Sequence, residues 1–180
     1  MMRTETPMAV RGYAASASSE LVLLVDDDRE TRELYAESLS GFGLRVEAAR
    51  DAAEALFKSL AIRPSVICTG LTLEKTDGFE FCRLVRQNPL TRHIPMIAVM
   101  AGVFPGQAAR ARDAGVDSIL IKPCLPETLG AEIRRVLSRA REGRRISAVA
   151  SHEATARLDS LTTRVNSRFR TFLKARLPNR

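Results

Sequence analysis

The sequence predicts an α/β protein, a five-stranded parallel sheet with helices on both faces, plus a long C-terminal amphipathic helix. Three observations carry that prediction. Short apolar runs and amphipathic stretches alternate five times between residues 21 and 142. The first run, Leu21–Val25, passes directly into three carboxylates, Asp26, Asp27 and Asp28, as a strand buried on both faces does where it leaves a sheet. Beyond residue 150, apolar residues recur at three and four positions as far as Arg176, with no strand-like run among them.

Taken in order, residues 1–19 are rich in Ala, Ser, Thr and Met without a period and read as a flexible leader. Arg29–Phe42 is helical, with Leu34, Leu39 and Phe42 as its apolar members and Gly41 and Gly43 at its end. One residue of the Asp triplet is expected to cap it. Leu44–Ala49 is the second strand. Asp51 caps a helix to Leu60 whose stripe is Ala52, Leu56, Phe57 and Leu60. Val66–Thr69 is the third strand, and residues 70–78 form a loop.

Phe79–Gln87 is the third helix, with Phe79, Cys82, Leu84 and Val85 apolar, and Pro89 stops it. Ile94–Met100 is the fourth strand, Gln107–Ala114 a short helix ended by Gly115, and Ser118–Ile121 the fifth strand. From Leu125 to about Glu142 a helix turns Leu129, Ile133, Val136 and Leu137 inward. Gly143–Arg145 reads as a basic break, giving one domain over 20–142 and a basic linker and helix over 143–180.

The chain of 180 residues is 45% hydrophobic, enough for one good core, and carries a formal charge of +7. That charge is uneven. Residues 1–126 hold 15 Lys/Arg and 16 Asp/Glu, a net of −1, whereas residues 127–180 hold 13 and 5, a net of +8. Cys68, Cys82 and Cys124 lack metal-ligand spacing and read as reduced core thiols of a cytoplasmic protein. No apolar run approaches the length of a membrane span. His93 and His152 have no nearby acid or base partner in sequence, and Asp77 before Gly78 reads as a turn residue.

The carboxyl ends of the strands gather Asp26 and Asp27, Gly70, Met100, and Lys122 followed by Pro123. That edge is where open α/β sheets bind ligands. At these residues the chain resembles the response-regulator receiver family, the phospho-accepting domains of two-component signalling. The resemblance rests on LVLLVDDD, the TDGFEFCRLVR segment at Thr76–Arg86, HIPMIAV at His93–Val99 and AGVDSILIKPC at Ala114–Cys124, in order and at the family's spacing.

The resemblance implies a flavodoxin-like receiver fold, an acidic pair, Asp26 and Asp27, that helps hold Mg²⁺, a phosphoryl-sensing lysine, Lys122, and a cis peptide before Pro123. It also exposes departures. Aligning Pro64 and Asp77-Gly78 with the family pattern, without a gap, puts Gly70 at the phospho-acceptor position, and no other acid lies between Pro64 and Leu73. Met100 stands at the switch Ser/Thr position and Ile119 at that of the switch aromatic.

A glycine offers no nucleophile for acyl-phosphate formation and removes an oxygen ligand from Mg²⁺. The expectation is therefore a non-enzymatic, degenerate receiver with no cofactor or at most a weak Mg²⁺. A Lys122 ion pair would sit in what remains of the acidic pocket. Its partners would be a signalling protein or a second copy. They would meet it through the fourth helix, fifth strand and fifth helix, roughly Gln107–Leu137, and through the C-terminal helix with Leu158, Leu161, Val165, Phe169 and Phe172. The basic tail also admits nucleic-acid contact, though no helix-turn-helix or zinc pattern is visible, and anionic lipid is a third reading. An active phospho-accepting receiver is the remaining alternative.

Overall fold

The computed structural model describes the backbone of residues 20–73, 76–102 and 105–176; beyond Ser151 it describes the side chain of Thr155 alone. The expected leader, 1–19, lies outside the described residues. The elements run β1 (Leu21–Val25), α1 (Arg29–Gly41), β2 (Arg45–Ala49), α2 (Ala52–Ile62), β3 (Val66–Gly70), β4 (Thr72–Leu73), β5 (Thr76–Asp77), α3 (Gly78–Gln87), β6 (Met96–Met100), α4 (Gln107–Asp113), β7 (Ser118–Ile121) and α5 (Pro126–Arg176). The chain divides into two compact units, Met1–Leu137 and Ser138–Arg180.

The first unit is built on a sheet of order β2-β1-β3-β6-β7, parallel throughout. Alternate residues of each buried strand serve opposite faces. Leu23, Val25, Ile67, Met96 and Ala98 pack with Ala55, Phe81, Cys82, Val85 and Ala111 from α2, α3 and α4. Val22, Leu24, Val66, Cys68, Ile97 and Val99 pack with Tyr35 and Leu39 of α1 and Leu129, Ile133, Val136 and Leu137 of α5. Burying each large aliphatic side chain of β1 is worth about 2 kcal/mol. That double burial is why the strand is an unbroken apolar run and why charge can begin only at its end.

Several helix faces differ from the sequence reading. Leu34 is exposed and Tyr35 is buried in its place, because Tyr35 and Leu39 are one turn apart on the face α1 turns to the sheet. Phe57 is 72% exposed, and the contact face of α2 is formed by Ala52, Ala55, Leu56 and Ser59. In α3, Phe81 occupies the core and Leu84 is exposed.

The expected loop at 70–78 holds a short antiparallel pair, β4 with β5. The expected break at Gly143–Arg145 is absent, and α5 runs through it as one helix. A single internal glycine costs about 1 kcal/mol, and with no proline nearby the flanking turns carry the helix across it. The side chains of Leu158, Leu161, Val165, Phe169 and Phe172 lie outside the described residues.

Candidate functional site

The site lies at the carboxyl edge of the sheet, where β1, β3, β6 and β7 end side by side. Register fixes the arrangement: Val25 pairs with Thr69, Gly70 with Val99, and Met100 with Ile121. Each residue after a strand end is thereby brought to the same rim.

The three aspartates have separate tasks. Asp26 is 4% exposed, yet both its carboxylate oxygens are hydrogen-bonded. Oδ1 accepts the Asp28 N–H at 3.1 Å, and Oδ2 accepts the Lys122 ammonium at 2.7 Å. Asp27 is half-buried. Asp28 is the N-cap of α1, accepting the Thr31 N–H at 2.8 Å and the Thr31 hydroxyl, which hold its carboxyl below the usual range. One of the triplet thus serves as the cap, as its spacing suggested.

Lys122 leaves β7 with its N–H donated to Met100 O at 2.7 Å, and the following peptide to Pro123 is cis. Two residues on, the Cys124 carbonyl accepts the Tyr35 hydroxyl at 2.7 Å, which ties the lysine loop to α1. Arg32, one turn into α1, donates from Nη1 to the carbonyls of Asp26 at 2.6 Å and Asp27 at 2.9 Å. Buried carbonyls at a strand end need such a donor. Sequence reading missed Arg32; its place one turn after the Asp28 cap was the available signal.

The other side of the site is apolar. Gly70 ends β3, and a Cβ placed there would lie 3.5 Å from Leu73 Cδ2, 3.8 Å from Val25 O and 3.9 Å from Asp26 Oδ2. The side chain of Leu73, buried on β4, therefore lies against the position an acceptor side chain would leave from. Met100 is buried at the end of β6, and Ile119 packs half-buried against the same core cluster.

Gly78 closes the segment. Its N–H donates to Leu71 O, and a Cβ there would come within 2.7 Å of Gly70 O and Leu71 Cα. Only glycine fits this approach. Asp77 is more than a turn residue: it caps α3 through the Phe79 N–H at 3.0 Å and pairs with Arg110 of α4. The Arg110 guanidinium also stands 4.0 Å from the centre of the Phe79 ring.

The remaining candidates are not brought to this rim. Burial pushes the Cys68 thiol up, raises Cys82 to about 12 and also raises Cys124, so none is an activated nucleophile. His93 is exposed before β6. Around Gln107–Leu137, Ile121 and Leu125 are exposed apolar residues, and Ser118 of β7 is hydrogen-bonded to Glu132 of α5.

The donor set can be tested against Mg²⁺, which wants near-octahedral oxygen ligands. Both Asp26 oxygens are committed, Gly70 supplies no side-chain oxygen, and no cluster of three His, Cys, Asp or Glu suited to a metal occurs among the described residues. The residues present do not fit a three-oxygen Mg²⁺ site.

This edge, with its acidic strand end facing a lysine before a cis-proline, defines a receiver-type α/β domain. Residues 22–134 match the response regulator receiver domain, and the chain belongs to that family of two-component signalling proteins. It is 33% identical over 145 residues to the response regulator MprA of Mycobacterium tuberculosis, covering 81% of this chain and 62% of that protein. The Mycobacterium leprae MprA is 34% identical over 144 residues, with 80% and 62% covered.

The chain thus spans about three fifths of the length of the curated relatives it matches. Among solved structures, the Vibrio cholerae chemotaxis protein CheY4 superposes with a TM-score of 0.64 at 31% identity, covering 66% of this chain and 99% of that one. The signal receiver domain of a signal transduction histidine kinase from Syntrophus aciditrophicus gives 0.62 at 28% identity, with 67% and 91% covered. The fold is therefore the flavodoxin-like receiver fold. No helix among the described residues is long and apolar enough to cross a membrane.

Proposed function

We propose that this chain is a degenerate receiver that acts without phosphorylation at the usual position, as a cytoplasmic protein-interaction module and not as an enzyme. One observation carries the reading. Gly70 stands at the end of β3, where the family's acceptor aligns, with the Leu73 side chain against its α-carbon face. Acyl-phosphate formation needs a carboxylate in line with the donor phosphorus and a cation to neutralise the charge. Glycine supplies no nucleophile, and the acid that could help hold the cation is paired with Lys122. Met100 and Ile119 support the same reading, since neither a thioether nor a small aliphatic can follow a phosphoryl oxygen as a hydroxyl and a ring would.

Incubation with acetyl phosphate and Mg²⁺ followed by intact-mass measurement tests this. The expected spectrum is unchanged; a stoichiometric, hydroxylamine-labile gain of one phosphate overturns the proposal. A Mg²⁺ titration followed by NMR is expected to give no micromolar, site-specific shifts at Asp26 and Asp27. The surfaces offered to partners are the face formed by α4, β7 and the start of α5, roughly Gln107–Leu137, and the remainder of α5.

The net charge of +8 over residues 127–180 favours a second reading, DNA binding through the tail. DNA affinity that falls steeply with salt and vanishes on truncation at about Arg144 would replace the first reading by the second.

A further inference from the structure

We infer that α5 beyond Leu137 docks an acidic amphipathic helix of a partner protein, in a helix–helix contact seamed by residues 150–172. The second unit is a single helix over the described residues, Ser138–Arg176, about 58 Å long. A lone helix has no second element in its own unit against which to bury an apolar stripe. Every described side chain from Arg141 to Ser151 is exposed, Ile146 and Val149 by 61% and 59%.

The stripe has a definite period. Ala150, Ala154, Leu158, Leu161, Val165, Phe169 and Phe172 follow one another at steps of four, four and three, then four, four and three again. On a straight helix an eleven-residue repeat of this kind drifts by about 20° per repeat in the sense opposite to a heptad, so it specifies a shallow right-handed wind of the seam. The seam covers about 33 Å. With apolar positions only every third or fourth residue, the seam is as narrow as a helix–helix contact.

Charge chooses the occupant. Residues 138–176 contain ten Arg/Lys against three Asp/Glu, a net of +7, as large as the charge of the whole chain. Arg157, Arg164 and Arg168 each stand one position before a seam residue, which puts cations along one flank of the line. A second copy would set the same cations against each other. DNA would neutralise the arginines but leave Leu158, Phe169 and Phe172 in water, and a bilayer surface suits a broader apolar face. An acidic helix with its own apolar row satisfies both the seam and the flank.

This inference rests on the interaction reading, but fails separately from it. Phosphate uptake would overturn the phosphorylation-independent role and leave the helix contact to be judged on its own. The test places a photo-crosslinking residue at Val165 of the full chain, in the cells that make it, and identifies the linked segment by mass spectrometry.

The expected segment belongs to another protein, carries net negative charge and repeats apolar residues at three and four positions. A synthetic peptide of that segment should bind the purified full chain. Both Val165→Glu and the combined Arg157→Glu, Arg164→Glu and Arg168→Glu variant should weaken binding about tenfold or more with helicity unchanged, and added salt should weaken it further. A link to this chain's own sequence, to nucleic acid or lipid, to a basic segment, or no link at all overturns the inference.

Discussion

The two sides of the strand-end pocket differ in chemistry. On the β1 and β7 side the contacts are polar and paired. Asp26 holds Lys122, Arg32 holds the carbonyls beneath, and Tyr35 holds the loop that delivers the lysine. On the β3 and β6 side the described strand-end residues are apolar: Gly70, Leu73 and Met100 carry no side-chain oxygen, and the neighbouring Thr69 hydroxyl is donated to Gly70 O. The difference separates two properties a receiver normally joins. The charged side stabilises the sheet edge whether or not chemistry occurs, because a buried carboxylate must be paired. On the proposed reading the other side has no such structural task. On that reading, the ion pair serves the fold without a nucleophile beside it.

The largest expected effect comes from breaking the charged side. Lys122→Met leaves Asp26, 4% exposed, without its cation, and should cost about 3 kcal/mol in urea denaturation. Adding Asp26→Asn should restore much of that loss. If the double variant is no more stable than the single, the pair is not what holds this edge.

On the apolar side the backbone of Gly70 and Leu71 packs closely over the α-carbon of Gly78. Gly78→Ala would press a methyl within 2.7 Å of Gly70 O and Leu71 Cα, forcing the segment after β3 to shift, at a cost of about 2 kcal/mol by thermal or urea unfolding. A change below about 0.5 kcal/mol would mean the segment yields freely and that Leu73 is not firmly seated over Gly70.

How much of this was legible in the sequence follows the same division. The order of elements along the chain and the acidic strand end were readable as local patterns; the cis peptide after Lys122 and the alignment that singles out Gly70 were implied by the family resemblance. Inward helix faces were less so: Leu34 and Phe57 were expected to face inward where Tyr35 and Ala55 do, because a single stripe does not say which flank the sheet will cover. The supporting arginines were not legible. Arg32, Arg86 and Arg110 earn their roles through carbonyls and carboxylates brought near by the fold, as when Arg86 meets Gly115 O at 2.8 Å, Ile94 O at 2.7 Å and Asp117 Oδ2 at 2.5 Å. A long polar side chain on a helix reads as solvent-facing until its partners are placed. The continuity of α5 was missed because Gly143 and its arginine neighbours resemble a linker in composition while costing a helix little.

Gly70→Asp converts the apolar side toward the charged one and sharpens the contrast between scaffold and chemistry. Its Cβ meets only ordinary contacts, the nearest at 3.5 Å, so the variant should fold. Its carboxylate would stand beside Asp26, whose Oδ2 is 3.9 Å from that Cβ, and two carboxylates in one site resist joint ionisation. The loss should be about 1 kcal/mol near neutral pH and shrink as pH falls through the carboxylate range, where protonation removes the repulsion. With a third carboxylate present, millimolar Mg²⁺ should raise the melting temperature of the variant and leave that of the unaltered protein unchanged. Phosphorylation by acetyl phosphate is expected only when Leu73→Ala is added to clear the approach. Phosphorylation of the single variant would show that Leu73 does not obstruct the site.

The smallest effect is expected at the join between the charged side and α1. Tyr35→Phe removes the 2.7 Å hydrogen bond from the buried hydroxyl to Cys124 O, leaving that carbonyl short of a partner, and should cost about 1 kcal/mol at neutral pH. The sign of its pH dependence is fixed by burial, which pushes the Tyr35 hydroxyl up to about 12, above its value of about 10 in an unfolded chain. A group raised in this way contributes its full stability below the unfolded value and loses it as pH climbs through the folded one. The unaltered protein should therefore lose stability between about pH 10 and 12 through this residue, and the Tyr35→Phe variant should not, so the two unfolding curves converge across that window. Curves that stay parallel through it would place the Tyr35 hydroxyl in water and detach the lysine loop from α1.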